Sequence, residues 1–266
     1  MKITRTLLAV VLFLLPSLKT EAKDMNNKKD IKVVAHRGYW NCEEAGFARN
    51  SLAALECALK EGFWGSEFDV NITKDNQLIV FHDAKTGKKA FNDYPFSEFK
   101  DVRLENGEPI PTVDQFFEIG KKYPETVLVY ELKPQTNKEF ERKLVDATIA
   151  KIKKHGLDNP KRIAFISFSF DMCKWLAKEL PGYTVQYLGV KSPYKVHEAG
   201  INGIDTNKMV LKIFKSWVEK AHKQGMSVNC WTVNDQEDIE AMVDLGVDYI
   251  TSDYPTKVRY IINNTK

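Results

Sequence analysis

The sequence predicts an α/β fold of the (β/α)8 TIM-barrel type, with a small insertion after the second strand unit. Three observations predict it. From residue 31 onward, short β-branched or aromatic runs alternate with amphipathic helical segments. The alternation completes eight units in about 235 residues, close to the ~250 usual for such barrels. No linker, repeat or low-complexity run divides the chain. A doubly wound open sheet is the competing architecture, but no Gly-rich phosphate loop follows the first strand.

The elements follow in order. Lys32–Ala35 is a short apolar strand. Asn50 and Ser51 can cap a helix that carries Leu52, Leu55 and Leu59 at helical spacing, and Gly62 ends it. A strand over 65–72 forms the second unit, and the run over 78–81 is an extension of that unit. Residues 84–110, with Gly87, Pro95, Gly107 and Pro109, read as an irregular insertion. Thr112 opens a helix to residue 122, with Val113, Phe116, Phe117 and Ile119 as its apolar face. Further strands are predicted at 126–132, 162–167, 184–188, 203–205, 227–233 and 249–252. Helices are predicted at 138–155, 171–179, 194–199, 211–224, 236–245 and 255–262. One domain, 31–266, accounts for them all.

The N-terminus differs in kind. Lys2 and Arg5 precede an apolar run over 7–15, and a polar stretch ends at Thr20-Glu21-Ala22. This pattern predicts a signal peptide over 1–22, a short tail over 23–30, and an exported protein, periplasmic or secreted. The run is far shorter than the ~20 residues needed to cross a bilayer, so no stable membrane insertion is expected. Cleavage removes Lys2, Arg5, Lys19 and Glu21 and lowers the formal charge from +3 to +1. Near-neutral charge without a basic stripe excludes nucleic acid as the expected partner. The cysteines, at 42, 57, 173 and 230, are too dispersed for a disulfide framework, and free thiols are expected for most of them.

Function is written in charges at the ends of apolar runs: His36-Arg37, Glu67 and Asp69, His82-Asp83, and Glu131 with Lys133. Buried charge is costly unless it is paired, metal-bound or wet. Glu67 and Asp69, two apart on a strand, project to one face, with Phe68 and Val70 turned away. Glu131 approaches from the next main strand. Three carboxylates without thiolates form a hard oxygen site suited to one divalent cation, Mg2+ or Ca2+. The competing reading is an ion-pair network in which Arg37 and Lys133 neutralise Glu67 and Asp69. His36 and His82, placed at strand C-terminal ends, shift the balance toward acid–base chemistry. A cation, two fixed positive charges and two histidines suit phosphoryl transfer better than acyl or hydride transfer. His155, His197 and His222 lie near helix ends and receive no role.

Together these residues resemble the glycerophosphodiester phosphodiesterase family over nearly all of 31–260. The matching pieces are Ala35-His36-Arg37-Gly38, Asn50-Ser51-Leu52-Ala53-Ala54, the stretch from Glu67 to Asp75, His82-Asp83, Glu131-Leu132-Lys133, Trp231-Thr232-Val233-Asn234 and the stretch from Thr251 to Pro255. The resemblance implies a TIM barrel that hydrolyses small-molecule glycerophosphodiesters to an alcohol and glycerol 3-phosphate. It implies Glu67, Asp69 and Glu131 as metal ligands and His36 and His82 as the acid/base pair. Arg37 and Lys133 would bind phosphate, and Trp231 would line the glycerol end. Related alternatives are a phospholipid-cleaving phosphodiesterase of the same barrel superfamily and a glycerophosphodiester-binding protein without turnover. Two departures stand out. Arg49 occupies the place of a Glu that commonly supports the Arg of the H-R-G motif, leaving Glu43 or Glu44 as its expected substitute. The final motif reads Thr251-Ser252-Asp253 rather than Thr-Asp. The insertion's aromatics, Phe91, Tyr94 and Phe96, either select the head group or pack a small core of their own.

Overall fold

A computed structural model describes residues 30–264. The predicted signal peptide and most of the tail lie outside them. Among the described residues, eight parallel strands close on themselves: β1 (Lys32–Ala35), β2 (Gly65–Ile72), β6 (Val127–Leu132), β7 (Ile163–Ser167), β8 (Thr184–Leu188), β9 (Gly203–Asn207), β10 (Ser227–Trp231) and β11 (Tyr249–Ser252). The intervening labels belong to β3 (Leu78–Val80), β4 (Lys85–Thr86) and β5 (Lys89–Ala90). β1 pairs with both β2 and β11, so the sheet has no barrel edge. Every residue of β2 and β6 is buried, as expected for parallel strands covered on both faces.

Two cores follow from the alternation of side chains along each strand. Outward residues such as Phe68, Val70, Leu128, Tyr130 and Phe165 pack beneath the helices. Inward residues Val34, Val127, Val129, Ala164, Ile166, Leu188 and Tyr249 fill the barrel, with Trp64 and Trp231 against them. The outer ring comprises α1 (Leu52–Lys60), α2 (Val113–Gly120), α3 (Lys138–Lys154), α4 (Phe170–Glu179), α5 (Pro193–Glu198), α6 (Lys208–Ile213), α7 (Ser216–Lys223), α8 (Gln236–Leu245) and α9 (Pro255–Asn264). None of these is long and apolar enough to cross a membrane.

Three details sharpen or correct the sequence reading. The helix expected over 211–224 is two helices. Asn207 caps α6 early by accepting from Met209 N–H, and Phe214 then leaves helical dihedrals (φ −106°, ψ 57°) to stack on Trp217. β3, the extension of the second unit, is the antiparallel return of β2, with Val70 opposite Val80. The insertion resolves toward packing. Phe91 and Phe99 join Ile79 and Ile110 in a satellite core against which Phe96 and Phe81 lie, while Tyr94 is exposed. These aromatics do not line the cavity described next. All four cysteines are free, with Cys173 and Cys230 buried.

Candidate active site

The C-terminal mouth of the barrel holds a cavity of about 120 Å3 lined by His36, Arg37, Glu67, His82, Glu131, Lys133, Asp205 and Trp231, among others. Strand register explains the convergence. Asp69 lies directly opposite Glu131 across the β2–β6 pair, and Glu67 sits one inward layer below. Oxygens of Glu67, Asp69 and Glu131 all lie within 4.8 Å of one another, and the three residues are 2%, 1% and 7% exposed.

Such crowding has electrostatic consequences. Burial, then Asp69 and Glu131, pushes the Glu67 carboxyl well above its usual range. Burial and Asp69 likewise push Glu131 up to about 7. Burial would raise Asp69 too, but Lys133, Arg37 and the Asn50 amide outweigh it and hold that carboxyl low. Lys133 Nζ lies 3.0 Å from Asp69 Oδ1 and 2.7 Å from Glu131 Oε1. Their attraction exceeds the cost of its burial and raises its pKa. Arg37 Nε stands 3.4 Å from Asp69 Oδ2. The ion pairs of the competing reading are therefore present, yet they leave Glu67 Oε1 buried without a hydrogen-bond partner among the described residues. Two carboxyls pushed upward, with Glu67 Oε1 and, apart from its Lys133 ion pair, Glu131 Oε1 both lacking a hydrogen-bond partner among the described residues, describe a site with too little positive charge. An all-oxygen donor set of this kind fits a hard divalent cation.

Each histidine is oriented by a carboxylate at Nδ1. His36 Nδ1 donates to Asp253 Oδ1 at 2.8 Å, and His82 Nδ1 lies 2.7 Å from Asp83 Oδ1. Asp253 is fixed in turn by Trp40 Nε1 (3.1 Å) and Asn234 Nδ2 (2.8 Å); His36 first, then these two partners, outweigh its burial and hold its carboxyl low. His36 follows β1 at its C-terminal end, as expected. His82 instead follows the return strand β3, whose continuation, Phe81 N–H, bonds Asp69 O. The antiparallel turn carries His82 back beside the carboxylates, where burial, Lys133 and Arg37 prevail over Asp69 and lower its pKa.

The sequence reading missed three residues. Asn50, expected only as a cap, sits in the left-handed region (φ 58°). Its Nδ2 donates to Asp69 Oδ2 at 2.8 Å, and its Oδ1 accepts from Asp69 N–H at 3.2 Å. Asp253 was visible only within the family's closing motif and its departure, with no role of its own. Asp205, buried in β9, carries the same signal as Glu67, a charge within an apolar run, in a strand expected to end there. The expected substitutes for Arg37's supporting Glu are corrected as well. Glu43 and Glu44 are exposed, and Asp69 is the carboxylate beside Arg37. Arg49 stacks on Trp40 with its guanidinium carbon 3.8 Å from the ring, bracing the indole that holds Asp253.

Comparison with known proteins is consistent with this geometry. A crystal structure of a glycerophosphodiester phosphodiesterase from Parabacteroides distasonis superposes with a TM-score of 0.85 at 39% identity, covering 89% of this chain and 98% of that one. A glycerophosphodiester phosphodiesterase of Caldanaerobacter subterraneus subsp. tengcongensis is 29% identical over 241 residues, 84% of this chain and 94% of its own length. The fold also matches an Oleispira antarctica phosphodiesterase in complex with the product sn-glycerol-3-phosphate, with a TM-score of 0.74 at 23% identity over 88% of this chain and 97% of that one. The model of the glycerophosphoryl diester phosphodiesterase family matches residues 36–257, so strand order, cavity and sequence agree: this chain belongs to that family.

Proposed function

We propose that this chain is an exported, divalent-metal-dependent phosphodiesterase that hydrolyses glycerophosphodiesters to an alcohol and glycerol 3-phosphate. The observation that carries the reading is the convergence on one cavity of three carboxylates, two fixed cations and two carboxylate-oriented histidines. The complex of the Oleispira relative with sn-glycerol-3-phosphate supports the same substrate class.

Glu67, Asp69 and Glu131 would hold one Mg2+ or Ca2+. A bound cation supplies neutralisation of phosphate charge. Arg37 and Lys133 contribute the same from the protein, orienting the phosphate for in-line attack. With Nδ1 of each ring committed to a carboxylate, Nε2 is the nitrogen that exchanges protons. One histidine takes the proton of the attacking hydroxyl, from water or from the glycerol 2-hydroxyl, and the other delivers a proton to the departing alkoxide oxygen. Trp231 lines the end of the cavity that receives glycerol.

The test uses mature protein with glycerophosphoethanolamine and Mg2+ or Ca2+, measuring glycerol 3-phosphate release. EDTA is expected to abolish release, and the His36→Ala, His82→Ala double variant to lower it by at least about 10⁴-fold. Undiminished release from that variant would overturn the assignment. Export is tested separately: N-terminal sequencing of protein recovered outside the cytoplasm should begin at Lys23.

A further inference from the structure

We propose that Asp205 and Trp231 together read the terminal hydroxyl of the glycerol moiety, making Asp205 a specificity-determining residue of this site. The proposal rests on the glycerophosphodiesterase reading and deepens it.

β9 and β10 pair in parallel, with Asp205 opposite Asn229 and Asn207 opposite Trp231. Residues two apart on a strand share a face, so Trp231 lies one layer above Asn229 on the wall that carries Asp205. In the closed strand order this wall stands across the barrel from β2 and β6, which carry the three carboxylates.

Asp205 is 1% exposed, and its Oδ2 accepts from Asn229 Nδ2 at 3.1 Å. Asn229 is itself fixed by reciprocal bonds with Thr251 Oγ1 at 2.9 and 3.2 Å. The Asp205 carboxyl is therefore held in place, while its Oδ1 has no partner among the described residues. Trp231 Nε1 is in the same condition, its indole set edge-on against Phe168 with ring centroids 5.6 Å apart. Both residues line the cavity. Buried polar groups are normally satisfied, so two orphans on adjacent strands of one cavity mark a missing ligand group.

The chemistry of that group is constrained from both sides. Trp231 offers only a donor. Asp205 Oδ1 accepts when the carboxyl is ionised and donates or accepts when it is protonated. A hydroxyl, both donor and acceptor, satisfies the pair in either state. A head-group ammonium would suit Asp205 but oppose the indole N–H, and a phosphate would suit the indole but oppose the carboxylate. Arg37 and Lys133 already draw phosphate toward the opposite wall, and the 2-hydroxyl stays beside it. The terminal hydroxyl, one carbon further on, is the group left to reach Asp205.

The experiment is calorimetric titration of the mature, Ca2+-loaded protein with glycerol 3-phosphate and with propane-1,2-diol 1-phosphate, which keeps the neighbouring hydroxyl and lacks the terminal one. The wild type should prefer glycerol 3-phosphate by about 10- to 100-fold, the worth of a hydrogen bond to a charged group. Asp205→Ala and Trp231→Phe should each shrink that preference to within about 3-fold without weakening propanediol phosphate binding comparably. A wild-type preference retained in Asp205→Ala, or equal loss of both ligands, overturns the proposal. Binding preference that disappears as expected in a protein releasing no glycerol 3-phosphate would sink the activity reading alone. Turnover without any preference would sink this one alone.

Discussion

Asp253 shows how much a single residue contributes to this site. It accepts from His36 Nδ1, Trp40 Nε1 and Asn234 Nδ2, so one carboxylate fixes a histidine tautomer, an indole and a loop amide. Removing its charge while keeping its shape isolates the orienting role. Asp253→Asn is expected to lower kcat for glycerophosphodiester hydrolysis by about 10²–10³-fold, because the imidazole loses the acceptor that selects its tautomer. KM should change far less, and steady-state kinetics with the intact substrate check the split. Legibility at this scale followed chemistry. Glu67, Asp69 and Glu131 could be read because a carboxylate in an apolar run is expensive. Asn50 and Asp253 could not be assigned their roles, since each acts through a partner distant in sequence, 19 residues away for Asp69 and 217 for His36.

At the scale of elements, the insertion and α1 are coupled in a way that periodicity does not reveal. Glu108 accepts from Leu52 N–H at 2.8 Å and from Ala53 N–H at 3.2 Å, while Ser51 Oγ accepts from Ala54 N–H at 2.9 Å. Three of the orphan donors at the start of α1 are thereby met, and a carboxylate is placed at the positive end of the helix. The same turn holds Asn50 against Asp69. Glu108→Ala should therefore cost about 1–2 kcal/mol, the usual worth of a lost cap, read from the midpoint of urea unfolding. The insertion thus acts on the cavity by holding the loop that carries Asn50, with its own aromatics busy in a separate core. The α6–α7 break was invisible because Leu211 and Val218 keep helical spacing whether or not Phe214 leaves the helix.

Across the whole molecule, the proposed cation site links metal binding to pH and to stability. Burial and mutual repulsion raise Glu67 well above its usual range and Glu131 to about 7. The folded, cation-free protein therefore holds protons that the unfolded chain releases near pH 4.5. That contribution to stability is fully present below the unfolded value and is lost as pH rises through the folded one. Without divalent cation, the melting temperature should fall between pH 5 and pH 8. A cation must displace those protons, so Ca2+ affinity should climb by up to about 10-fold per pH unit below 7 for each proton released. Thermal melts in EDTA and in Ca2+ across this range check both signs, with the largest gain from Ca2+ expected at pH 8.

The architecture, and most of the charged groups that converge on the cavity, were legible in the chain alone. Strand and helix periods are local, and each of eight units announces its own buried face. Charge inside an apolar run likewise carries its penalty wherever the chain folds, which is why seven charged or histidine positions could be named in advance, whereas Trp231 came from the family resemblance alone. Only the tertiary structure decided how those groups are held. The return of β3 beside β2, the choice of Asp69 rather than Glu43 or Glu44 beside Arg37, and the facing of Asp205 and Trp231 into one cavity all depend on strand register and barrel closure. Register is a relation between segments far apart in the chain, fixed by cooperative packing, and no single segment encodes it.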